Sequence, residues 1–195
     1  MANLPLNTRL VDDAIRFAVD AHAGTERRGK GFPYVIHVLE AMSIVATITN
    51  DPELLAAAAL HDTVEDTDVR IGEIRERFGP RVADLVEMET DQLAEDGQEK
   101  DWRVRKQEAI DRLAACPREG KIVALGDKLS NMRAIAQDYR HIGDRLWGLF
   151  HAPGGRADHA WHYRGLAASL SELKETDAFC EFTALIDEVF GPETD

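Results

Sequence analysis

The chain has 195 residues, of which 44% are hydrophobic and 30% charged, and its formal net charge is −13 at pH 7. This length suits one globular domain whose core needs no disulfide or structural metal for stability. The acidic excess argues against nucleic-acid binding, and the longest apolar run, Leu54–Leu60, is too short to span a membrane.

The N-terminal residues and the cysteines bear on the compartment. The N-terminus has neither the basic nor the apolar segment of a secretory signal. The two cysteines, Cys116 and Cys180, lie outside any CxxC or CxxH spacing. We therefore expect a cytoplasmic protein with two reduced thiols and no cysteine-based zinc site. The sequence leaves the oligomeric state open, and a homo-oligomer is compatible with it.

Apolar residues recur at helical spacing along nearly the whole chain, and no segment alternates as a β-strand does. Asp51-Pro52 predicts a helix start, and Gly79-Pro80 predicts a stop followed by a new start. We expect an all-α fold, with one domain over residues 9–190 between tails at 1–8 and 191–195 and an exposed loop at 91–101. The predicted helices cover residues 11–23, 34–49, 52–66, 71–78, 81–89, 102–116, 117–133, 158–173 and 177–190.

A His-Asp pair, His61-Asp62, ends the apolar run and is followed by Glu65 and Asp66. On a helix His61 and Glu65 share one face, and so do Asp62 and Asp66. Three carboxylates this close repel one another and burial adds a desolvation cost, both of which a bound cation would relieve. A solvated acidic helix end explains the same stretch equally well.

Two further segments favour the metal site. Residues 27–37 hold three cations and two glycines before a histidine, and residues 127–133 place Asp127 and Asn131 one helical turn apart. Together, RRGKGFPYVIH, HDTVEDT and LGDKLSNMR resemble the HD-superfamily hydrolase domain of the RelA/SpoT family, and most of all its small hydrolase-only members, the small alarmone hydrolases. The resemblance runs from about Arg16 to Leu170 and includes AHAG, FGPRVADLV and WHYR.

The resemblance implies an HD-type helical bundle and a metal-dependent hydrolase. In that family the substrate is guanosine tetra- or pentaphosphate, the 3′-pyrophosphate is removed, and the usual metal is manganese(II). The family's metal ligands fall on His37, His61, Asp62 and Asp127, its catalytic carboxylates on Glu65 and Asp66, and its nucleotide contacts on Arg27, Arg28, Lys128 and Asn131.

The residue types suit this chemistry. Two imidazoles and two carboxylates are a ligand set for manganese, iron, zinc or nickel rather than calcium. A cation held by them lowers the pKa of bound water and polarises a phosphoryl oxygen. Glu65 and Asp66 are placed to take or orient the proton of that water as one unit. Arg27, Arg28 and Lys30 would form a local positive patch for a polyanionic substrate.

The chain departs from the family pattern in several places. Arg28 stands for the usual lysine, Val38 for proline, and Gly126 for alanine, which costs roughly 1 kcal/mol in a helix interior. The acidic segment 92–101 lacks the lysine often found just after the Thr-Asp pair, which puts substrate contacts from this loop in doubt. The segment 161–164 suits either the pocket or aromatic core packing.

Two other functions stay open beside the alarmone hydrolase. One is a phosphatase of another phosphorylated nucleotide, such as NADPH, because the base pocket cannot be identified from the sequence. The other is a non-catalytic nucleotide sensor, which is disfavoured because all six predicted metal and catalytic residues are retained. We expect a small-molecule nucleotide as the partner. A chain of this length leaves no room for a synthetase domain, so we expect it to degrade the alarmone and not to make it.

Overall fold

The computed structural model describes residues 8–90, 101–150 and 152–192, and within these ranges the fold is helical, without a β-sheet. The predicted all-α class is confirmed. Short 3₁₀ segments cover Gly143–Leu149 and Ser171–Leu173. The α-helices are α1 (Arg9–Ala21), α2 (Val35–Val45), α3 (Pro52–Leu60), α4 (Thr63–Asp66), α5 (Ile71–Phe78), α6 (Pro80–Glu89), α7 (Trp102–Ala115), α8 (Arg118–Ile142), α9 (Arg156–Ser169) and α10 (Asp177–Phe190).

Local capping explains the helix boundaries that the sequence predicts well. The Asp51 side chain accepts a hydrogen bond from the backbone N–H of Glu53 at 2.9 Å, and proline follows at the first helical position of α3. Gly79 has a φ of 93°, a conformation that favours glycine, and it separates α5 from α6. The bounds of α5 and α10 are the predicted ones.

The predicted single helix over residues 52–66 is wrong, because α3 ends at Leu60 and α4 begins at Thr63. Two side chains at the break bond to carbonyls of α3. The hydroxyl of Thr63 donates to the Leu60 carbonyl at 2.7 Å, and Nδ1 of His61 lies 2.8 Å from the Ala58 carbonyl. These side chains bond to carbonyl groups at the end of α3, where the chain turns at His61 and Asp62.

The predicted end of the next long helix, at residue 133, is also wrong, because α8 continues to Ile142. Its added part buries Ile135 and Ala136. Arg140 forms two hydrogen bonds with Glu188 of α10, at 2.6 and 2.7 Å. Tertiary packing of this kind extends a helix beyond what the local pattern of apolar residues indicates. The other helix ends differ from the prediction by a few residues.

The long helix α8 is the centre of the fold. Helices α2, α3, α6 and α10 pack against it, while α1 packs on α3 and α7 packs on α9. Its fully buried side chains include Leu125, Leu129 and Met132. Because α2 and α3 both pack against α8, side chains from the three helices can meet inside the protein.

Some predictions fall on parts of the chain that are not described. Most of the two predicted tails, and the predicted loop up to residue 100, lie outside the described residues, so the domain boundaries stay predictions. Within the described ranges, no helix combines the length and apolar character that crossing a membrane requires.

Gly126 lies where α8 approaches α2. A Cβ added at this glycine would lie 2.7 Å from the carbonyl oxygen of Ala41 and 2.7 Å from Cγ2 of Val45. Real Cβ atoms do not approach other atoms this closely, and a backbone oxygen cannot move aside as a flexible side chain can. The glycine that departs from the family pattern therefore permits the close approach of the two helices.

We predict that Gly126→Ala destabilises the protein by about 1–3 kcal/mol, because overpacking against α2 outweighs the gain in helix propensity. Gly72→Ala in α5 is the matched control, since nothing lies within 4 Å of a Cβ at that position. The control should be as stable as the wild type or slightly more stable. Chemical denaturation measures both changes, and a Gly126→Ala variant as stable as the wild type would contradict the packing argument.

Candidate functional site

Three buried side chains from different helices converge at the centre of the fold. His37 comes from α2, His61 follows α3, and Asp127 comes from α8. One ligand atom from each lies within 4.8 Å of the others. This spacing is suitable for a single metal ion bound by all three side chains.

Asp62 completes the group that the resemblance implies. Its Oδ2 lies 3.0 Å from Nε2 of His61 and 3.4 Å from Nε2 of His37. Oδ1 of Asp127 lies 3.1 Å from Nε2 of His37 and 3.6 Å from Nε2 of His61. The structure thus brings all four predicted ligands together, with both carboxylates facing both imidazoles.

Hydrogen bonds on the far side of each ring fix which nitrogen faces this centre. The Ser130 hydroxyl donates to Glu40 at 2.6 Å, so its oxygen accepts from Nδ1 of His37 at 2.7 Å. Nδ1 of His61 donates to the Ala58 carbonyl at 2.8 Å. In a neutral imidazole the other nitrogen, Nε2, then carries a lone pair. Such bonds on the distal nitrogen are typical of metal-binding histidines.

The electrostatics of the centre suit a cation. Burial disfavours ionisation of Asp127, but Lys128 and the two histidines outweigh it and lower the pKa of this carboxyl well below its ordinary value. Nε2 of His61 is buried and has no hydrogen-bond partner among the described residues. Two ionised carboxylates and two imidazole lone pairs that converge at one point form a donor set for a divalent transition metal.

Without a cation, a proton is favoured at the same place. Burial lowers the pKa of His61, but the negative charges of Asp62 and Asp127 outweigh this effect and raise the pKa well above its ordinary value. A divalent cation between these groups would compete with that proton, so metal binding at this centre would release protons.

Tyr34 positions one of the predicted ligands. Its hydroxyl donates a hydrogen bond to Oδ2 of Asp62 at 2.7 Å. Its ring lies against the rings of His22 and His37, with centroid distances of 5.0 and 5.7 Å. Burial and the charge of Asp62 raise the pKa of Tyr34, so the hydroxyl keeps its proton and remains a donor.

A cavity of about 290 Å³ opens at the metal-ligand group, at the lower end of the range for small-molecule sites. The predicted catalytic residues Glu65 and Asp66 line it, and both are solvent-exposed. They lie on α4, the short helix that follows the break after α3. This position allows water to reach both carboxylates next to the metal-ligand group.

Two of the predicted nucleotide contacts lie on α8 and line the same cavity. Nδ2 of Asn131 donates to Oδ1 of Asp127 at 2.5 Å. Nζ of Lys128 lies 2.5 Å from Oδ2 of Asp127 and 3.3 Å from Oε2 of Glu89. Lys128 therefore neutralises buried carboxylates in addition to facing the cavity.

The predicted positive patch before α2 is only partly present. Arg27 donates to Oδ1 of Asn131 at 2.7 Å and so reaches a cavity-lining residue. Arg28 is exposed and does not line the cavity. Lys30 forms an ion pair with Asp138 at 2.5 Å, which holds it against α8. Arg27 therefore joins the cavity lining through Asn131.

Comparison with known proteins agrees with this geometry. The HD domain family matches residues 14–147. The chain belongs to the HD domain family.

Two relatives named guanosine-3′,5′-bis(diphosphate) 3′-pyrophosphohydrolase MESH1 are similar to it. The Danio rerio protein is 34% identical over 133 residues, covering 66% of this chain and 71% of the relative. The Drosophila melanogaster protein is 36% identical over 127 residues, covering 63% and 68%.

Longer relatives match over a smaller part of their length. A guanosine-3′,5′-bis(diphosphate) 3′-pyrophosphohydrolase of Aquifex aeolicus is 44% identical over 87 residues, which are 45% of this chain and 12% of the relative.

Among solved structures, a metazoan ortholog of SpoT that hydrolyses ppGpp superposes with a TM-score of 0.70 at 27% identity, covering 97% of both chains. The chain thus resembles the small relatives over most of its length.

Several site residues of this HD domain were not predicted from the sequence. Tyr34 and Ser130 stand inside the quoted motifs, three residues before His37 and three residues after Asp127, so their spacing could have indicated them. Glu40, which orients Ser130, carries no such signal. The remaining cavity-lining residues that were not predicted come from α6, α7 and α9, and include Met88, Glu89, Lys106, Ala109, Arg112, Leu113 and Leu166.

The segment 161–164, for which the sequence allowed either pocket or core, divides between the two. His162 and Tyr163 line the cavity. Arg164 donates to the carbonyl of Gly191 at 2.7 Å, and the guanidinium of Arg103 lies 4.7 Å from the centroid of Trp161. The two middle positions of the segment therefore serve the cavity, and the two outer positions serve the surrounding packing.

We predict that Ser130→Ala weakens binding of a divalent metal by about 10- to 100-fold, because Nδ1 of His37 loses its acceptor and the ring loses its orientation. The matched control is Ser43→Ala, since Ser43 lies on the same helix as His37 but donates to the Leu39 carbonyl on an exposed face. Calorimetric titration with manganese(II) measures both affinities. Equal affinities for Ser130→Ala and the wild type would refute this orienting role.

Proposed function

We propose that this HD domain protein is a metal-dependent hydrolase that removes the 3′-pyrophosphate from guanosine tetra- or pentaphosphate. The products are GDP or GTP and pyrophosphate. The observation that carries the proposal is the convergence of two oriented imidazole lone pairs and two carboxylates beside the exposed Glu65 and Asp66. The MESH1 proteins, similar over most of their length, carry this activity in their names.

We propose His37, His61, Asp62 and Asp127 as the metal ligands and manganese(II) as the metal. The donor set is compatible with manganese, and the family resemblance of the motifs selects it from the other metals that the donors accept. When bound, the cation lowers the pKa of a water molecule and polarises a phosphoryl oxygen.

Glu65 and Asp66 accept the proton of the attacking water in this proposal. The water oxygen forms a bond to the phosphorus attached to the ribose 3′-oxygen, and the bond between that phosphorus and the 3′-oxygen breaks. The 3′-oxygen takes up a proton and leaves as the hydroxyl of GDP or GTP. Adjacent carboxylates titrate together, so the two residues act as one unit.

Arg27 and Asn131 bind the nucleotide in this proposal. Their mutual hydrogen bond holds the guanidinium over the Tyr34 ring, 5.6 Å from its centroid, beside the metal-ligand group. A planar guanidinium held in this way can form paired hydrogen bonds to a phosphate group. The cytoplasmic location stays a prediction of the sequence, which leaves the oligomeric state open.

The first experiment is hydrolysis of guanosine tetraphosphate by the purified protein with manganese(II). We expect release of GDP and pyrophosphate that stops when a chelator removes the metal. Glu65→Gln should retain manganese but lose about 10²- to 10⁴-fold in kcat, because it removes a proton acceptor. Release that persists without metal, or a higher kcat/KM for the 2′-phosphate of NADPH, would overturn the proposed reaction.

Arg27 and Arg28 are neighbours in the sequence motif but differ in their position relative to the cavity. We predict that Arg27→Ala raises KM for guanosine tetraphosphate by about tenfold, the loss of one charge-assisted hydrogen bond. Arg28→Ala should change KM by less, because Arg28 does not line the cavity. Steady-state kinetics on the two variants decide the point, and a larger effect of Arg28→Ala would reverse the assignment.

A further inference from the structure

One wall of the cavity is formed by side chains that belong to none of the predicted site residues. Lys106 and Arg112 of α7 and His162 of α9 line it, together with Glu89 of α6. All four are partly or largely shielded from solvent. Helix α7 packs on α9, so most of this wall is built from these two helices.

Positive charge is concentrated on this wall. Five carboxylates line the cavity, but its cationic side chains are Lys106, Arg112 and Lys128. Lys106 and Arg112 lie on α7, and Lys128 reaches the wall through its ion pair with Glu89 at 3.3 Å. Arg27, in contrast, joins the site from the segment before α2. Cations therefore approach the metal-ligand group from two different parts of the structure.

The pKa of His162 reflects both its burial and the positive charge of this wall. Burial, followed by the charges of Lys106 and Lys128, lowers the pKa of His162 to about 3, so its ring is neutral at physiological pH. Its Nδ1 is buried and has no hydrogen-bond partner among the described residues. A neutral imidazole beside two ammonium groups can donate a hydrogen bond to an anion that the two lysines attract.

Glu89 does not cancel this attraction. Its carboxyl is buried, and burial raises its pKa despite the neighbouring Lys128. Its ion pair with Lys128, at 3.3 Å, offsets its negative charge.

We infer that Lys106, Arg112 and His162 form a subsite for the terminal phosphate of the leaving pyrophosphate. The inference rests on the proposed function, in which the reacting phosphate lies at the metal-ligand group. The terminal phosphate is bonded to the reacting one and must therefore lie beside that group. Lys128, which contacts both Asp127 and Glu89, links the metal-ligand group to this wall.

The subsite would make the enzyme selective for a diphosphate at the reacting position. A substrate with a single phosphate there, such as the 2′-phosphate of NADPH, has no terminal phosphate for Lys106 and Arg112 to contact. The loss of these substrate contacts reduces the stabilisation of the transition state, and so lowers kcat/KM for such a substrate.

Product inhibition of guanosine tetraphosphate hydrolysis tests the subsite in the manganese-loaded protein. We expect Lys106→Ala to raise the inhibition constant of pyrophosphate about tenfold or more, and to leave that of GDP within about twofold. Lys106→Arg, which keeps the charge, should recover part of the loss. Arg103→Ala is the matched control on the same helix, because Arg103 stacks on Trp161 and does not line the cavity.

Two kinetic results would overturn the inference. Unchanged pyrophosphate inhibition in Lys106→Ala would remove the residue from the subsite. A raised inhibition constant for GDP instead of pyrophosphate would mean that the wall binds the 5′-diphosphate.

Direct binding separates this inference from the proposed function. Pyrophosphate is titrated calorimetrically into the wild type and Lys106→Ala, with and without manganese(II). Tighter binding to the wild type than to Lys106→Ala supports the subsite even if guanosine tetraphosphate is not hydrolysed. Equal binding to both proteins overturns it, whatever the result of the hydrolysis assay.

Discussion

The burial of two imidazoles and two carboxylates at one point is the constraint on which this structure depends. Such groups lose their hydration inside a protein, and each must find a partner. Here each of the four groups has a polar partner within the protein. Ser130 and the Ala58 carbonyl hold the outer ring nitrogens, while Lys128 and Tyr34 contact the two carboxylates. What remains is a set of inward-facing nitrogen and oxygen atoms that suits a divalent cation.

The helical framework is shaped to deliver these groups. Helix α3 ends just before His61, and the turn that follows allows Glu65 and Asp66 to begin a new helix at the edge of the cavity. On the other side, Gly126 allows α8 to approach α2 closely next to Asp127. A residue that is unfavourable for an isolated helix therefore serves the packing that brings His37 and Asp127 together.

The sequence predicts the all-α fold and the central part of the site because the relevant residues lie in short local patterns. The histidines and aspartates stand within compact motifs, and helix α10 is predicted residue for residue because its cap and its apolar period agree. The break at His61 is not predictable in this way. The preceding alanine- and leucine-rich run favours a helix, and the cause of the break lies in side-chain hydrogen bonds that the periodicity does not show.

The cationic wall is unpredictable for a different reason. Lys106, Arg112 and His162 are separated by up to 56 residues and become neighbours of one cavity only when α7 packs on α9. Lys106 and Arg112, taken alone in the sequence, resemble ordinary helix-surface residues, while His162 lies in a segment that suits either the pocket or the core. Their relation to the motif residues is set by tertiary packing, so sequence patterns can identify the proposed metal ligands without identifying the proposed phosphate subsite.

The proposed function requires an acidic protein to accept a polyanionic substrate, and the local arrangement of charges explains how it could. The net charge of −13 repels phosphate at long range, but that repulsion is screened over about 8–10 Å at physiological salt. Inside the cavity the local arrangement of charges decides. In the proposed reaction, Arg27 and Asn131 at one side of the metal-ligand group and Lys106 and Arg112 on the wall of α7 would give the substrate two separate contacts around the reacting phosphate. Two such contacts would hold the substrate in one orientation and so fix the direction of the bond that breaks, whereas a single positive patch would let the substrate rotate.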